Sequence, residues 1–188
     1  MTENGREVQL NDNGTWQYAD SISNSSDSLA TNPIEFHTTP GATFLVKSNV
    51  LNVGIYLNHT KWVFIPHKSG EINPEYKFES KLNNGYAMML TEITAIDLEN
   101  MKNIALLNAQ KAAPDARITH SEYRMVNKKK VLCLTMKGTL QGIKFVYFGY
   151  YYSNQNGTVQ LVAFGSEVMF KNSFKEWEDF LNGFTVIN

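Results

Sequence analysis

From Phe36 onward the large apolar residues fall into short blocks rather than a helical stripe. "TFLVKS", "NVGIYLN", "KWVFIPH", "YKFES" and "YAMMLTEI" are rich in β-branched and aromatic residues, and Gly41, Gly54, Gly70, Pro74 and Gly85 punctuate them. Each block predicts a strand, because such side chains suit a pleated surface and glycine and proline end it. The period then changes. Leu98, Met101, Ala105, Ala109 and Ala112 recur at helical spacing, with Thr94 or Asp97 as the cap, a Thr-x-x-Asp capping box, and Pro114 as the stop. Leu107 lies nearly opposite that stripe, where a second packing contact is expected.

Three longer strands follow, Arg117 to Val126, Lys130 to Leu140 and Ile143 to Tyr152, turned at "NKKK" and "LQG". A fourth, Thr158 to Gly165, returns through "SNQNG", so the four form a consecutive antiparallel meander. In "IKFVYFGYYYS" both alternating sets are apolar: Phe145, Tyr147 and Tyr151 on one face, and Val146, Phe148, Tyr150 and Tyr152 on the other. A strand apolar on both faces is expected to be central and covered twice. The last element reads as a helix, with a Ser173-x-x-Glu176 capping box, an apolar face of Phe174, Trp177, Phe180 and Leu181, and Gly183 as the stop.

The first twenty residues read separately. Arg6 to Leu10 and Thr15 to Tyr18 are β-prone, and "NDNG" between them supplies turn residues that tolerate positive φ, which predicts a β-hairpin. An isolated two-stranded hairpin buries too little to fold alone. "SISNSSDSLATNP" behind it is polar and reads as a linker. The expected organisation is therefore a hairpin appendage over residues 1–20, a polar linker over 21–35 and a main domain over 36–188. The hairpin resembles a short "G-[RK]-x-V-x-L-N-D-x-G-T-W-x-Y" element near the N-termini of various bacterial proteins, often of the cell envelope.

The main domain carries a resemblance of its own. "KWVFIP", "GYAMMLTEI", a helix closed by "AAPDARI", "EYRMVNKKKVLCLTM", "FVYFGYYYS", "GTVQLVAF" and a terminal "F-x-x-W-x-x-F-L-N-G-F" follow one another. In element order and aromatic placement this resembles the superfamily of PsbP-like proteins and the Ran-binding nuclear-import factor of yeast. The resemblance implies an α+β fold, an antiparallel sheet flanked by helices in an α/β/α sandwich, and a role in binding or assembly. It transfers no site residue, and neither the import role nor photosystem assembly follows from it.

Charge narrows the partners. Lys+Arg 17 against Asp+Glu 18 leaves a formal net charge of -1, so no global field draws the chain to nucleic acid. The single cysteine, Cys133, excludes an intrachain disulfide, and its apolar strand "KVLCLTM" implies a buried, inert thiol. "MTENGREVQL" has no signal-peptide core, and no run approaches the roughly 20 apolar residues of a membrane span. A soluble cytoplasmic protein is expected as the sequence is written, or a periplasmic or secreted one if a native signal peptide has been removed.

Candidate chemistry is sparse. His37, His59, His67 and His120 lack the spacing of a metal site, and Asp97, Glu99, Glu176, Glu178 and Asp179 fit helix N-termini or solvent faces. No nucleophile elbow or phosphate-binding glycine loop occurs. No metal or cofactor is expected. Tyrosine joins large apolar area to a polar tip, which makes Tyr150, Tyr151 and Tyr152, near the "SNQNGT" loop, candidate contacts, together with Trp62. The expectation is a noncatalytic binding or assembly module of bacterial type that recognises a protein or small ligand through aromatic residues near a sheet edge. The alternatives are an enzyme with an unconventional site of histidine and acids, and an envelope-associated structural protein.

Overall fold

The computed structural model describes residues 8–10, 16–18, 29–66, 74–82 and 85–187. Its centre is a meander of four antiparallel strands, β9 (Arg117–Val126), β10 (Lys129–Leu140), β11 (Ile143–Asn154) and β12 (Gly157–Ser166). Two-residue turns close its first two hairpins. Asn127 and Lys128 have φ of 46° and 65°, and Gln141 and Gly142 have φ of 50° and 79°, the paired positive values that match the twist of flanking strands. At the third turn Gly157 has φ 152°, and a Cβ there would meet the Glu92 carbonyl oxygen at 2.2 Å, so only glycine fits.

Beyond β12 the sheet continues through β8 (Tyr86–Glu92), β7 (Tyr76–Ser80) and β6 (Trp62–Pro66), all antiparallel. On the opposite edge β3 (Thr31–Phe36) adds in parallel to β9. Among the described residues this makes an eight-stranded sheet in the order β3-β9-β10-β11-β12-β8-β7-β6. The sheet therefore takes in Thr31 to Glu35, part of the stretch read as spacer, together with Phe36. Pro33 fits because β3 is an edge strand, and Asn32 donates to both Glu122 carboxylate oxygens at 3.3 and 3.1 Å.

β4 (Phe44–Lys47) and β5 (Val53–Leu57) do not join this sheet. With β13 (Phe184–Val186) they form a second, three-stranded antiparallel sheet in the order β13-β5-β4. Helix α2 (Glu167–Leu181) and this small sheet together cover one face of the main sheet. Val46, Ile55, Leu57, Trp177, Phe180 and Phe184 meet Phe78, Met89, Phe148 and Leu161 in that core. The other face is covered by α1 (Leu98–Ala112), whose buried Met101, Ala105 and Ala109 lie over Leu132, Leu134, Met136 and Tyr151.

Both helices depart in detail from the sequence pattern. The capping box of α1 does not form: Asp97 is the N-cap without a side-chain hydrogen bond, and the carbonyl of Thr94 accepts from the Thr158 hydroxyl at 2.7 Å. Helix α2 begins seven residues before its expected start. Ser166 caps it by accepting from the Met169 amide at 3.3 Å, and Ser173, expected as the cap, is a kink with φ −125° and ψ 17°. In the N-terminal segment β1 (Val8–Leu10) pairs with β2 (Trp16–Tyr18) in its own two-stranded sheet, as expected of a hairpin. Its "NDNG" turn lies outside the described residues.

Candidate functional site

The two faces of the main sheet are covered unequally, and the site follows from that. Helix α1 lies over β9, β10 and β11. Across β12, β8 and β7 the same face carries half-buried Gln160 and Phe164, half-buried Met88 and exposed Tyr86, Lys77 and Glu79. Where the helix stops covering the sheet, an apolar cleft of about 180 Å³ opens. Ala105, Ala109 and Ala112 form its helical wall, because the short side chains of the stripe do not reach down to fill it. Met88, Met136, Tyr147, Tyr151 and Val162 form its floor and far wall, with Asn108 and Gln160 as the neutral polar groups. None of the described residues lining it is Asp, Glu, Lys, Arg or His.

Period-two alternation places Tyr147, Gly149 and Tyr151 on this side of β11. Gly149 is required by the ring beside it, since a Cβ there would meet Tyr151 Cε2 at 3.2 Å and Val162 Cγ2 at 2.9 Å. Tyr151 is 2% exposed, and its hydroxyl has no hydrogen-bond partner among the described residues. Tyr151 lines the cleft, and its hydroxyl is reached from there rather than sealed in protein, for among the described residues the Trp177 indole nitrogen is the fully enclosed side-chain atom without a partner. Burial pushes the Tyr151 and Tyr147 phenols up from their ordinary value, so both remain neutral donors near pH 7. Rings continue outward from the mouth: Tyr147, Phe145, Phe164 and Tyr86 follow one another with centroids 5.5 to 6.2 Å apart.

The four residues singled out from sequence are not brought together. Tyr150 and Tyr152 share the opposite face of β11, as alternation requires. Tyr150 is buried; its hydroxyl accepts from Arg124 Nη1 at 3.0 Å and donates to Asn182 Oδ1 at 2.8 Å. Tyr152 is half-buried with its ring 5.3 Å from that of Phe184. Trp62 is 2% exposed and packs on Phe180 under α2, with ring centroids 4.3 Å apart. Tyr151 alone reaches the cleft. Tyr147, Met88, Met136, Asn108 and Gln160 escape sequence reasoning; the signal for Tyr147 is its shared face with Gly149 and Tyr151, where one missing side chain leaves room on the sheet.

On the α2 side a polar network crosses the core. Arg124 donates to the Glu122 carboxylate, to Tyr150 and, at 2.9 Å, to Glu178 Oε1, with its guanidinium 4.3 Å above the Phe36 ring. Burial works against the charge of Glu122, but the hydrogen bonds and charge of Arg124 outweigh it and hold the carboxyl below its usual range. Cys133 is buried nearby, and desolvation pushes its thiol up to about 12, which fits an inert thiol. Asn127, in the turn between β9 and β10, ties three segments: its amide donates to Thr38 Oγ1 and to the Asn182 and Phe184 carbonyls. These groups satisfy one another, and the arrangement is structural.

Among the described residues the histidines do not converge. His37 lies 3.6 Å from Glu35 and His120 lies 3.5 Å from Glu122, each with an exposed imidazole and neither lining the cleft; His67 is outside the described residues. Among the described residues no group of three His, Cys, Asp or Glu could hold a metal ion, and no helix is long and apolar enough to cross a membrane.

No protein-family model matches the sequence, and no curated protein matches it. Solved structures do. The cyanobacterial PsbP of Synechocystis sp. PCC 6803 is similar with a TM-score of 0.55 at 9% identity, over 79% of this chain and 94% of that one. LpqN of Mycobacterium tuberculosis, involved in cell envelope biogenesis, aligns with a TM-score of 0.48 at 12% identity, over 87% of this chain and 94% of that one. The fold is PsbP-like, an α+β architecture built on a mostly antiparallel sheet. At 9% identity the likeness extends to fold alone.

Proposed function

We propose that the protein is a noncatalytic binding module whose site is the cleft between α1 and the main sheet, with Tyr147 and Tyr151 as contacts. One observation carries this reading: the hydroxyl of Tyr151, a residue 2% exposed, faces an apolar cleft with no protein partner among the described residues. Buried polar groups are nearly always paired, so a donor with no protein partner that faces an apolar opening is suited to a ligand. No described histidine or carboxylate lines the cleft, so it offers no imidazole–carboxylate pair for acid-base chemistry. Native mass spectrometry of protein incubated with a metabolite extract tests the reading. Ala112 is exposed at the cleft wall, so Ala112→Phe should obstruct the cleft without disturbing the core. Wild type should retain molecules that Ala112→Phe does not; identical capture by both would remove the cleft as the site.

A second reading, a protein partner, is favoured by the rings outside the cleft. Tyr86 is 44% exposed and stacks on half-buried Phe164, leaving aromatic area on the uncovered half of the sheet. Capture of a protein lost in Tyr86→Ser but kept in Ala112→Phe would select this reading.

A further inference from the structure

Resting on the cleft as the binding site, we propose that its ligand is an uncharged molecule with a ring or short alkyl group of about benzene to indole size, presenting a hydrogen-bond acceptor to the Tyr151 hydroxyl. Size comes from the volume. The cleft measures about 180 Å³, and an apolar cavity of ~150 Å³ takes benzene. A long acyl chain would extend out of it onto the sheet surface. Met88 and Met136 in the lining are unbranched thioethers that adjust to an irregular guest.

Neutrality comes from the lining. A carboxylate or ammonium entering the cleft would lose hydration, and no described lining residue carries a countercharge to replace it. Polarity at one point comes from Tyr151. Among the described residues no protein group holds its hydroxyl, so an acceptor placed against it takes the place of solvent and breaks no hydrogen bond within the protein. Gln160, half-buried and likewise without a side-chain hydrogen-bond partner among the described residues, offers a second donor and acceptor at the wall; the Asn108 carboxamide oxygen is already held by Lys111 at 3.0 Å. These terms together select a small neutral carbonyl or amide compound on an apolar body.

Benzamide and benzoate share a ring and differ in charge, which makes them the test pair. In wild-type protein carrying ¹³C-methyl methionine, benzamide should shift the Met88 and Met136 methyl signals saturably, and benzoate should bind at least roughly tenfold more weakly. Tyr151→Phe should weaken benzamide binding roughly five- to tenfold, the effect of one hydrogen bond, with the fold intact. Benzoate binding as tightly as benzamide, an unchanged affinity in Tyr151→Phe, or no shift by either compound would each overturn the proposal. If neither compound shifts the methyl signals while Ala112→Phe still abolishes capture from extract, the cleft remains the site and the ligand class fails. If capture is also unaffected by Ala112→Phe, both fail.

Discussion

Tyr150 and Tyr151 are adjacent in sequence and lie on opposite sides of the sheet, with opposite chemistry. The hydroxyl of Tyr150 joins Arg124 to Asn182, whereas that of Tyr151 has no partner among the described residues. Tyr150→Phe should therefore cost about 1–3 kcal/mol, because it strands a buried acceptor on Asn182. Tyr151→Phe should stay within about 0.5 kcal/mol. Urea denaturation of the two variants checks the contrast, and equal losses would contradict it. Along the same strand Phe148 is 1% exposed and Phe145 is half-buried, although the alternating pattern treats both as core. Phe148→Ala should cost roughly 3–5 kcal/mol and Phe145→Ala markedly less. Glu122 adds a pH dependence. Its folded pKa is lowered from 4.5, so its contribution is complete above that value and is lost as pH falls through the folded one. The acid side of the stability profile should be shallower in Glu122→Gln than in wild type; an unchanged slope would show that Arg124 does not favour the charged carboxylate. Alternation made the faces of these residues legible. It could not show which of them hydrogen-bond, because Arg124, Tyr150, Glu178 and Asn182 come from distant parts of the chain.

Among the elements, those stabilised by local pattern were read well and those positioned by distant contacts were not. The meander strands and the path of α1 follow from periodicity and turn residues. The start of α2 does not, because residues 167–172 are amphipathic without a stop signal, and Ser166 caps them from the end of a strand. The separate sheet of β4, β5 and β13 was also illegible, since its third strand arrives from the other end of the chain. The edge strand β3 hides in a polar stretch for a similar reason: its partners are β9 and Glu122, not its own side chains. The described main domain begins where Leu29 packs against the α1-side core and the Ala30 carbonyl accepts from the Tyr123 amide at 2.9 Å. Removal of residues 1–28 should therefore leave the melting temperature within about 2–4 °C of the intact chain, a change worth about 1 kcal/mol at this size. A truncated chain that fails to fold would make the hairpin integral to the domain.

At the scale of the whole molecule, the cleft exists because the two helices bury very different amounts. Helix α2 buries Trp177, Phe180 and Leu181 and is backed by the small sheet, while α1 buries Met101, Ala105 and Ala109. Alanines seat a helix close to a sheet over a narrow strip and leave the adjoining strip unfilled. The apolar stripe was visible in sequence, but its lateral position over β9 to β11 was not, so the cleft beside it could not be anticipated. Less buried area also means a smaller free energy for local opening, since the stabilising contribution scales with apolar surface removed from water, roughly 25 cal/mol per Å². Native-state hydrogen exchange should accordingly find α1 amides exchanging through a sub-global opening, while those of β11 and the second half of α2 exchange only with global unfolding. A molecule that occupies the cleft touches both α1 and the sheet, so it must stabilise the closed arrangement against the opened one. Saturating benzamide should therefore slow exchange in α1 more than in α2. Equal protection of both helices in the free protein would mean that α1 is locked to the sheet as firmly as α2, and a ligand would then find a rigid notch rather than a helix it helps to hold.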